Sequence, residues 1–378
     1  MLLNSLRPDP APAPTSALTQ ARTWYTNPMR PSFRTLLALT ASATLAVSAH
    51  AQQTLLATPS TIVWGNYNPR QKPALTVKSG DTVTIQTLST CGPRERLEAI
   101  GIAPKDIPSY VDDIYTKFPA TERGPGGHIL TGPVAITEAE PGDVLEVRIQ
   151  KIDIDVPWAC NGFGAGRGFL PNDFPYGHTR LIPLDRDKMI GHFSPGIDIP
   201  LHPFFGSMGI APPESAGKWN SAPPWMHAGN IDNKEMVAGT TLYIPINAKG
   251  GLFEVGDGHA GQGNGEVDIT AMETQLTGTF QFIVHKDQHL LWPRGETPTH
   301  YIAMGFDEDL KTATEMAVRN MITFLSEQNP DHPRLSRDDA YALISVACDV
   351  DITQLVDTKS GVHVMCPKNL FTNPKTSH

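Results

Sequence analysis

The densest chemistry in the sequence lies between Glu254 and Glu266, which reads Glu-Val-Gly-Asp-Gly-His-Ala-Gly-Gln-Gly-Asn-Gly-Glu. Asp257 and His259 stand two residues apart, so an extended backbone points both side chains to one side. Glycines at 256, 258, 261, 263 and 265 let the chain turn tightly and come close to a ligand. A carboxylate beside an imidazole is ordinary transition-metal ligation, and Glu266 adds a second carboxylate at the end of the segment.

Three further histidines are candidates. His227 follows Pro223-Pro224-Trp225 in a rigid loop and reads as a metal ligand; Asn230 and Asp232, just after it, read as substrate contacts or as supports of the site. His202 sits between prolines in Pro200-Leu201-His202-Pro203-Phe204-Phe205, as a fourth ligand or as a core histidine. His128, framed by glycines, is either a substrate contact or part of a surface loop. The run Cys160-Asn161-Gly162-Phe163-Gly164-Ala165-Gly166-Arg167-Gly168 reads as a flexible loop with one cation. Nucleophile-based hydrolysis lacks its motifs: there is no G-x-S-x-G elbow and no Gly-Gly-Ser-Ser-Gly run. Metal-activated water is the better class for these His and Asp loops. A water proton then needs a carboxylate to receive it, which points to Glu266 with Asp257. Phe204, Phe205 and Trp225 would form a neutral pocket that excludes bulky substrates.

These loops need a rigid frame. The 378 residues are 40% apolar, enough for a real core. Proline, at 34, is well above the usual ~5% and favours short strands joined by turns over a helical bundle. Alternating apolar positions with turns at Gly80-Asp81 and Gly142-Asp143 predict hairpins over 73–89 and 132–153. Two more strand pairs are predicted over 237–255 and 267–285. The stretch from about 156 to 236 reads as long and irregular, which suits a loop region around a site. Helical spacing is clear only from Asp307 to Glu327 and after the capping signature at Ser336. A closing hairpin is predicted from Asp351–Val356 and Val362–Met365. The fold class is therefore mainly β, a sandwich with long irregular loops and a short helical segment near the C-terminus.

Residues 29–51 form a secretory signal peptide: Arg30 and Arg34, an apolar run to Val47, and the cleavage site Ala49-His50-Ala51. Met29 is then the expected start, with 1–28 a mis-assigned and disordered extension and 52–378 a single catalytic domain. The net charge of −9 becomes −12 without the four arginines and one aspartate of residues 1–51. No basic run suits nucleic acid, and no apolar stretch in the body of the chain is long enough to span a membrane. An acidic exported protein meets neutral or cationic small ligands more readily than polyanions. Export permits disulfides. Cys348 and Cys366 fall at opposed positions of the closing hairpin and are the predicted pair, with Cys91 and Cys160 left unpaired.

The sequence resembles the acetamidase/formamidase family. The resemblance rests on Ser79-Gly80-Asp81, Leu130 to Val134 with Glu140 to Asp143, His202 to Gly206, His227 to Asp232, Gly256 to Glu266, and Asp349 to Val356 with Gly361-Val362-His363. It implies a jelly-roll-like β-sandwich, a homo-oligomer, and hydrolysis of a small amide to ammonia and a carboxylate. It also implies a divalent metal, zinc foremost, held by Asp257 and His259 with His227 and His202. The alternative is a non-catalytic exported sandwich that binds a metal such as calcium, or a sugar. Calcium's preference for all-oxygen shells sits poorly with a histidine in every candidate loop.

Overall fold

The computed structural model describes residues 52–372. The predicted signal peptide and the segment before it lie outside the described residues. The fold is mainly β, and two large sheets carry it. In spatial order the first is Gln52–Leu55, Thr82–Gln86, Leu276–His285, Val144–Ile154, Thr240–Pro245, Arg294–Glu296, His300–Asp307, Ser360–Pro367 and Asp349–Gln354. The second is Ile197–Pro200, Ile190–Ser194, His178–Asp185, Trp158–Phe163, Glu273–Thr274, Phe253–His259, Phe204–Gly209 and Ala228–Asn230, with Ile129–Ile136 also paired to Phe253–His259.

Apolar side chains from both sheets make one core. Val83, Val147, Leu242, Phe280 and Phe282 come from the first sheet, and Val134, Phe205, Phe253 and Val255 from the second. The Phe280 ring lies 5.5 Å from Phe205 and 5.7 Å from Phe253, centroid to centroid. Burying each such side chain contributes roughly 1.5–3 kcal/mol, so this aromatic cluster is what joins the sheets.

None of the four predicted strand pairs forms a hairpin. Leu75–Val77 pairs in parallel with Ile129–Ile136 in the second sheet, whereas Thr82–Gln86 lies in the first between Gln52–Leu55 and Leu276–His285. The same switch separates Ile129–Ile136 from Val144–Ile154, Thr240–Pro245 from Phe253–His259, and Glu273–Thr274 from Leu276–His285. The turns at Gly80 and Gly142 therefore carry the chain across the sandwich edge. The predicted strand at 267–270 is loop, with Ile269 at φ +82. The stretch 156–236 is not irregular: six of the second sheet's strands lie in it.

Two helices precede the late ones. Arg94–Ala99 and Ser109–Lys117 bury Leu97, Val111 and Ile114 against Val156 and Trp158. The late helices run Leu310–Ser326 and Arg337–Ala347, capped by Asp309 on the Thr312 amide (2.8 Å) and Ser336 on the Asp339 amide (3.0 Å).

The closing hairpin does form. Asp349 faces Met365 and Ile352 faces Val362, with a bulge before Gln354 that absorbs the off-centre turn. That register sets Cys348 against Cys366, yet both remain thiols. The disulfide instead joins Cys91 to Cys160, with Cα atoms 6.0 Å apart. Both of those cysteines meet Glu273: Cys160 pairs with it across the sheet, and Cys91 lies 3.4 Å from its carbonyl. A contact made through a third strand leaves no trace in local spacing.

Candidate active site

The site grows from one antiparallel pair. Phe204 faces His259, Phe205 faces Gly258 and Ser207 faces Gly256, which brings Gly206 opposite Asp257. Strand alternation sends Phe205 into the core and turns Phe204 and Gly206 to the other side of the sheet. There the Phe204 ring stands edge-on to His259 at 5.0 Å. A Cβ on Gly206 would lie 2.5 Å from Asp232 Oδ1, 2.5 Å from Asp257 Oδ2 and 2.9 Å from His259 Cε1. Three functional side chains meet in the space that a missing side chain leaves.

Gln262 sets the His259 ring. Its Nε2 donates to the Asp232 carbonyl at 2.9 Å, so its Oε1, 3.0 Å from His259 Nδ1, must accept. Nδ1 then carries the proton and Nε2 offers a lone pair. That nitrogen faces Asp257 Oδ2 at 3.4 Å and Glu273 Oε1 at 3.3 Å. A lone pair against two carboxylate oxygens is repulsive unless a proton or a cation stands among them.

Five acidic residues crowd this floor, Asp232, Asp257, Glu266, Glu273 and Asp357, and two histidines, His128 and His259, stand among them. Burial, then Glu266 and Asp357, push the Asp232 carboxyl well above the usual range. Burial, then Asp357 and Glu273, do the same to Glu266. Burial raises Asp257 too, but His128 and His259 outweigh it and hold that group down at about 2. For His259, Glu273 and Asp257 overcome burial and raise it well above the ordinary imidazole value.

The backbone is strained at the same places. Asp232, Asp257 and Glu266 have φ of +46, +56 and +43, in the left-handed region that non-glycine residues seldom enter. Each costs of order 1–3 kcal/mol and persists only where packing imposes it. The segment that holds Glu266 is tied to the last strand pair: Gly265 N donates to Thr353 O at 3.0 Å, and Leu355 N to Gly265 O at 3.1 Å.

The donor set suits a divalent ion. Asp232, His259 and Glu266 have ligand atoms within 4.8 Å of one another, as do Asp257, His259 and Glu273. Asp232 Oδ1, His259 Nε2 and Glu266 Oε2 are buried without a hydrogen-bond partner. Unpaired buried polar atoms are costly, and three in one cluster call for a shared partner.

Asn230 lines the cleft and sits among the acids. Its Oδ1 accepts from Ser207 Oγ (2.6 Å), and its Nδ2 donates to Asp232 Oδ2 (2.6 Å) and Asp357 Oδ2 (3.0 Å). With its groups so engaged, it orients the acids. Asp232 is fully buried among them. His128 lines the cleft, 3.7 Å from Asp257 Oδ2, with Nδ1 anchored on Ser221.

Other predicted site residues fall elsewhere. His202 is exposed, lines a neighbouring groove that shares Glu266 with the cleft, and belongs to neither ligand set. His227 belongs to neither ligand set. Its ring is buried between Tyr67 (4.7 Å) and Trp219 (5.0 Å), and burial lowers it to about 3. Trp225 packs on Trp292 at 4.8 Å, and Phe205 is core. Polar residues thus make up most of the cleft lining, Phe204, Phe205 and Trp225 are not part of it, and Phe204 supports His259 from behind.

The Acetamidase/Formamidase family profile matches residues 63–222 and 215–373. The chain belongs to the acetamidase/formamidase family. It is 28% identical over 191 residues to a formamidase of Methylophilus methylotrophus, covering 37% of this chain and 47% of that one. It is 25% identical over 203 residues to an acetamidase of Mycolicibacterium smegmatis, covering 38% and 49%. The chain thus spans about half the length of the curated relatives it matches. Two solved structures cover far more of it. A predicted acetamidase/formamidase from Thermoanaerobacter tengcongensis superposes with TM-score 0.72 at 25% identity, over 85% of this chain and 97% of that one. An acetamidase from Bacillus halodurans gives 0.71 at 27%, over 85% and 99%.

Sequence reasoning missed Gly206, Gln262, Glu273 and Asp357. Glu273 sits on a two-residue strand just past the stretch 267–270, and Asp357 sits in the turn of the closing hairpin. Gln262 lay within the glycine-rich segment, where an amide three residues after a candidate ligand was the available signal.

Proposed function

We propose that the protein hydrolyses a small amide to ammonia and a carboxylate in the cleft floored by Asp232, Asp257, His259, Glu266 and Glu273. The observation that carries this reading is the cluster of unpartnered buried ligand atoms around His259, in a chain whose relatives are named formamidase and acetamidase. A divalent metal would be held by His259 with Asp257 and Glu273, which leaves the Glu266 carboxylate beside it as a base; zinc suits one imidazole among carboxylates better than calcium does. When bound, it would polarise the amide carbonyl and acidify a water.

Glu266 lines the cleft with Oε2 free and takes the proton of the attacking water. As the water oxygen bonds to the carbonyl carbon, the same carboxyl passes that proton to the amide nitrogen. The C–N bond then breaks and ammonia leaves. Asp257 stays ionised beside His128 and His259, and Asn230 holds Asp232 and Asp357 in place. We also read the protein as exported, with Gln52 as the mature N-terminus, which N-terminal sequencing of secreted material checks.

The test is an ammonia-release screen over formamide, acetamide and longer amides with zinc-loaded and chelator-treated protein. Ammonia and the matching carboxylate should form in equal amounts, fall with the chelator and return with zinc. Zinc bound at stoichiometry with no ammonia from any amide would overturn the reading.

A further inference from the structure

The cleft is wider than acetamide requires, and its mouth carries the opposite charge to its floor. It encloses about 280 Å³, the volume of roughly nine waters at ~30 Å³ each, whereas acetamide displaces only a few. Two of the residues lining it are Arg96 and Arg167. Both side chains are exposed, and among the described residues neither forms an ion pair with a carboxylate. Arg94, two residues from Arg96, shows the contrast: it binds Asp112 at 2.9 Å and Glu98 at 3.5 Å. In a chain of net charge −9, two unneutralised guanidiniums facing one cleft are a local exception.

They are also placed by a common device. Arg96 is on the helix Arg94–Ala99, and Arg167 follows the strand Trp158–Phe163. The disulfide Cys91–Cys160, itself part of the cleft wall, ties the start of that helix to that strand. The Arg96 stem packs on Gly92, where a Cβ would stand 2.8 Å from Arg96 Cδ. The helix that bears Arg96 and the strand that leads to the Arg167 loop are thus joined by a covalent bond.

We propose that the substrate is a short amide that also carries a carboxylate, with its amide end on the acidic floor and its carboxylate received by Arg96 and Arg167. This deepens the amide-hydrolysis reading and rests on it. A guanidinium matches a carboxylate with paired N–H donors, and a neutral amide would leave both cations with water. The reaction balances as before: water oxygen bonds to the amide carbon, the C–N bond breaks, the proton goes to nitrogen, and ammonia leaves. The second carboxylate is unchanged, so the product is a dicarboxylate.

The probe is succinamate, the monoamide of butanedioic acid, measured beside butanamide in the wild type and in the double variant Arg96→Gln/Arg167→Gln. With its carboxylate held by charged hydrogen bonds, succinamate should be favoured by the wild type in kcat/KM by about 10-fold or more. The succinamate-to-butanamide ratio should fall toward one in the double variant and should shrink with added salt in the wild type. Equal kcat/KM for the two amides in the wild type, or a ratio unchanged in the variant, overturns the proposal while amide hydrolysis stands. If neither amide releases ammonia, the hydrolysis reading fails, and calorimetric titration of succinamate decides whether the anion site exists. Binding that weakens at least about 10-fold in the double variant supports that site. Equal binding by the two proteins, or none by the wild type, overturns it.

Discussion

Gln262 gives one amide hydrogen to the Asp232 carbonyl, and that bond fixes which atom it turns to His259. The ring's free nitrogen is thereby aimed at the acids, and Gly206 leaves room for the meeting. Gly206→Ala would push its methyl into Asp232 and Asp257, although its backbone is not in the left-handed region. Displacements of about 1 Å cost ~100-fold in turnover. The variant should lose activity by that order and most bound zinc, with a melting temperature near that of the wild type. Wild-type zinc content would show that the contact does not matter. His227 makes a different prediction. Burial keeps it neutral down to about 3, whereas the unfolded chain protonates it near the ordinary imidazole value of 6.5. The unfolded state therefore binds the extra proton as pH falls. The stability linked to the neutral ring is complete above that unfolded value and is lost toward 3, by about 1.4 kcal/mol per pH unit. His227→Phe should flatten the fall of urea stability between about pH 6 and 4; parallel slopes would contradict it. Asp257, His259 and Glu266 were legible because one short segment carries all three. Glu273 and Asp357 arrive from other elements, and no local pattern marks an approach that depends on strand order.

Most alternating strands of the four predicted pairs were readable, but their partners were not, and the six strands of the second sheet within 156–236 were missed. A hairpin and a sandwich corner share the same alternation and the same Gly-Asp turn. What separates them is the aromatic cluster of Phe205, Phe253 and Phe280, which only the assembled sheets create. The closing hairpin was readable because its strands pair with each other, bulge included. Helix Ser109–Lys117 is only nine residues long, and its buried stripe reduces to Val111 and Ile114, too little to stand out. The disulfide follows the same logic. Cys91–Cys160 closes 69 residues, worth ~4 kcal/mol in the chain-entropy account. Peptide mapping of unreduced protein should recover Cys91 joined to Cys160, with Cys348 and Cys366 alkylated. A Cys348–Cys366 peptide would reverse the assignment. Cys91→Ala/Cys160→Ala should lower stability by a few kcal/mol, and no loss would show that the bond constrains little.

Across the whole molecule, a covalently braced second sheet carries an acidic floor on the face turned away from the aromatic core. An oxidising compartment would preserve the bridge that walls the cleft. The central claim is that this floor is a hydrolytic centre with Glu266 moving the proton. Its most direct test is ammonia release by the zinc-loaded wild type beside Glu266→Gln, with zinc content and melting temperature measured on both. Removing a general base costs ~10²–10⁴-fold, so kcat/KM should fall by at least about 100-fold while the variant stays folded. Wild-type turnover by the variant would contradict the role of Glu266, and a wild type that holds zinc but releases no ammonia would mark a metal-binding sandwich without catalysis.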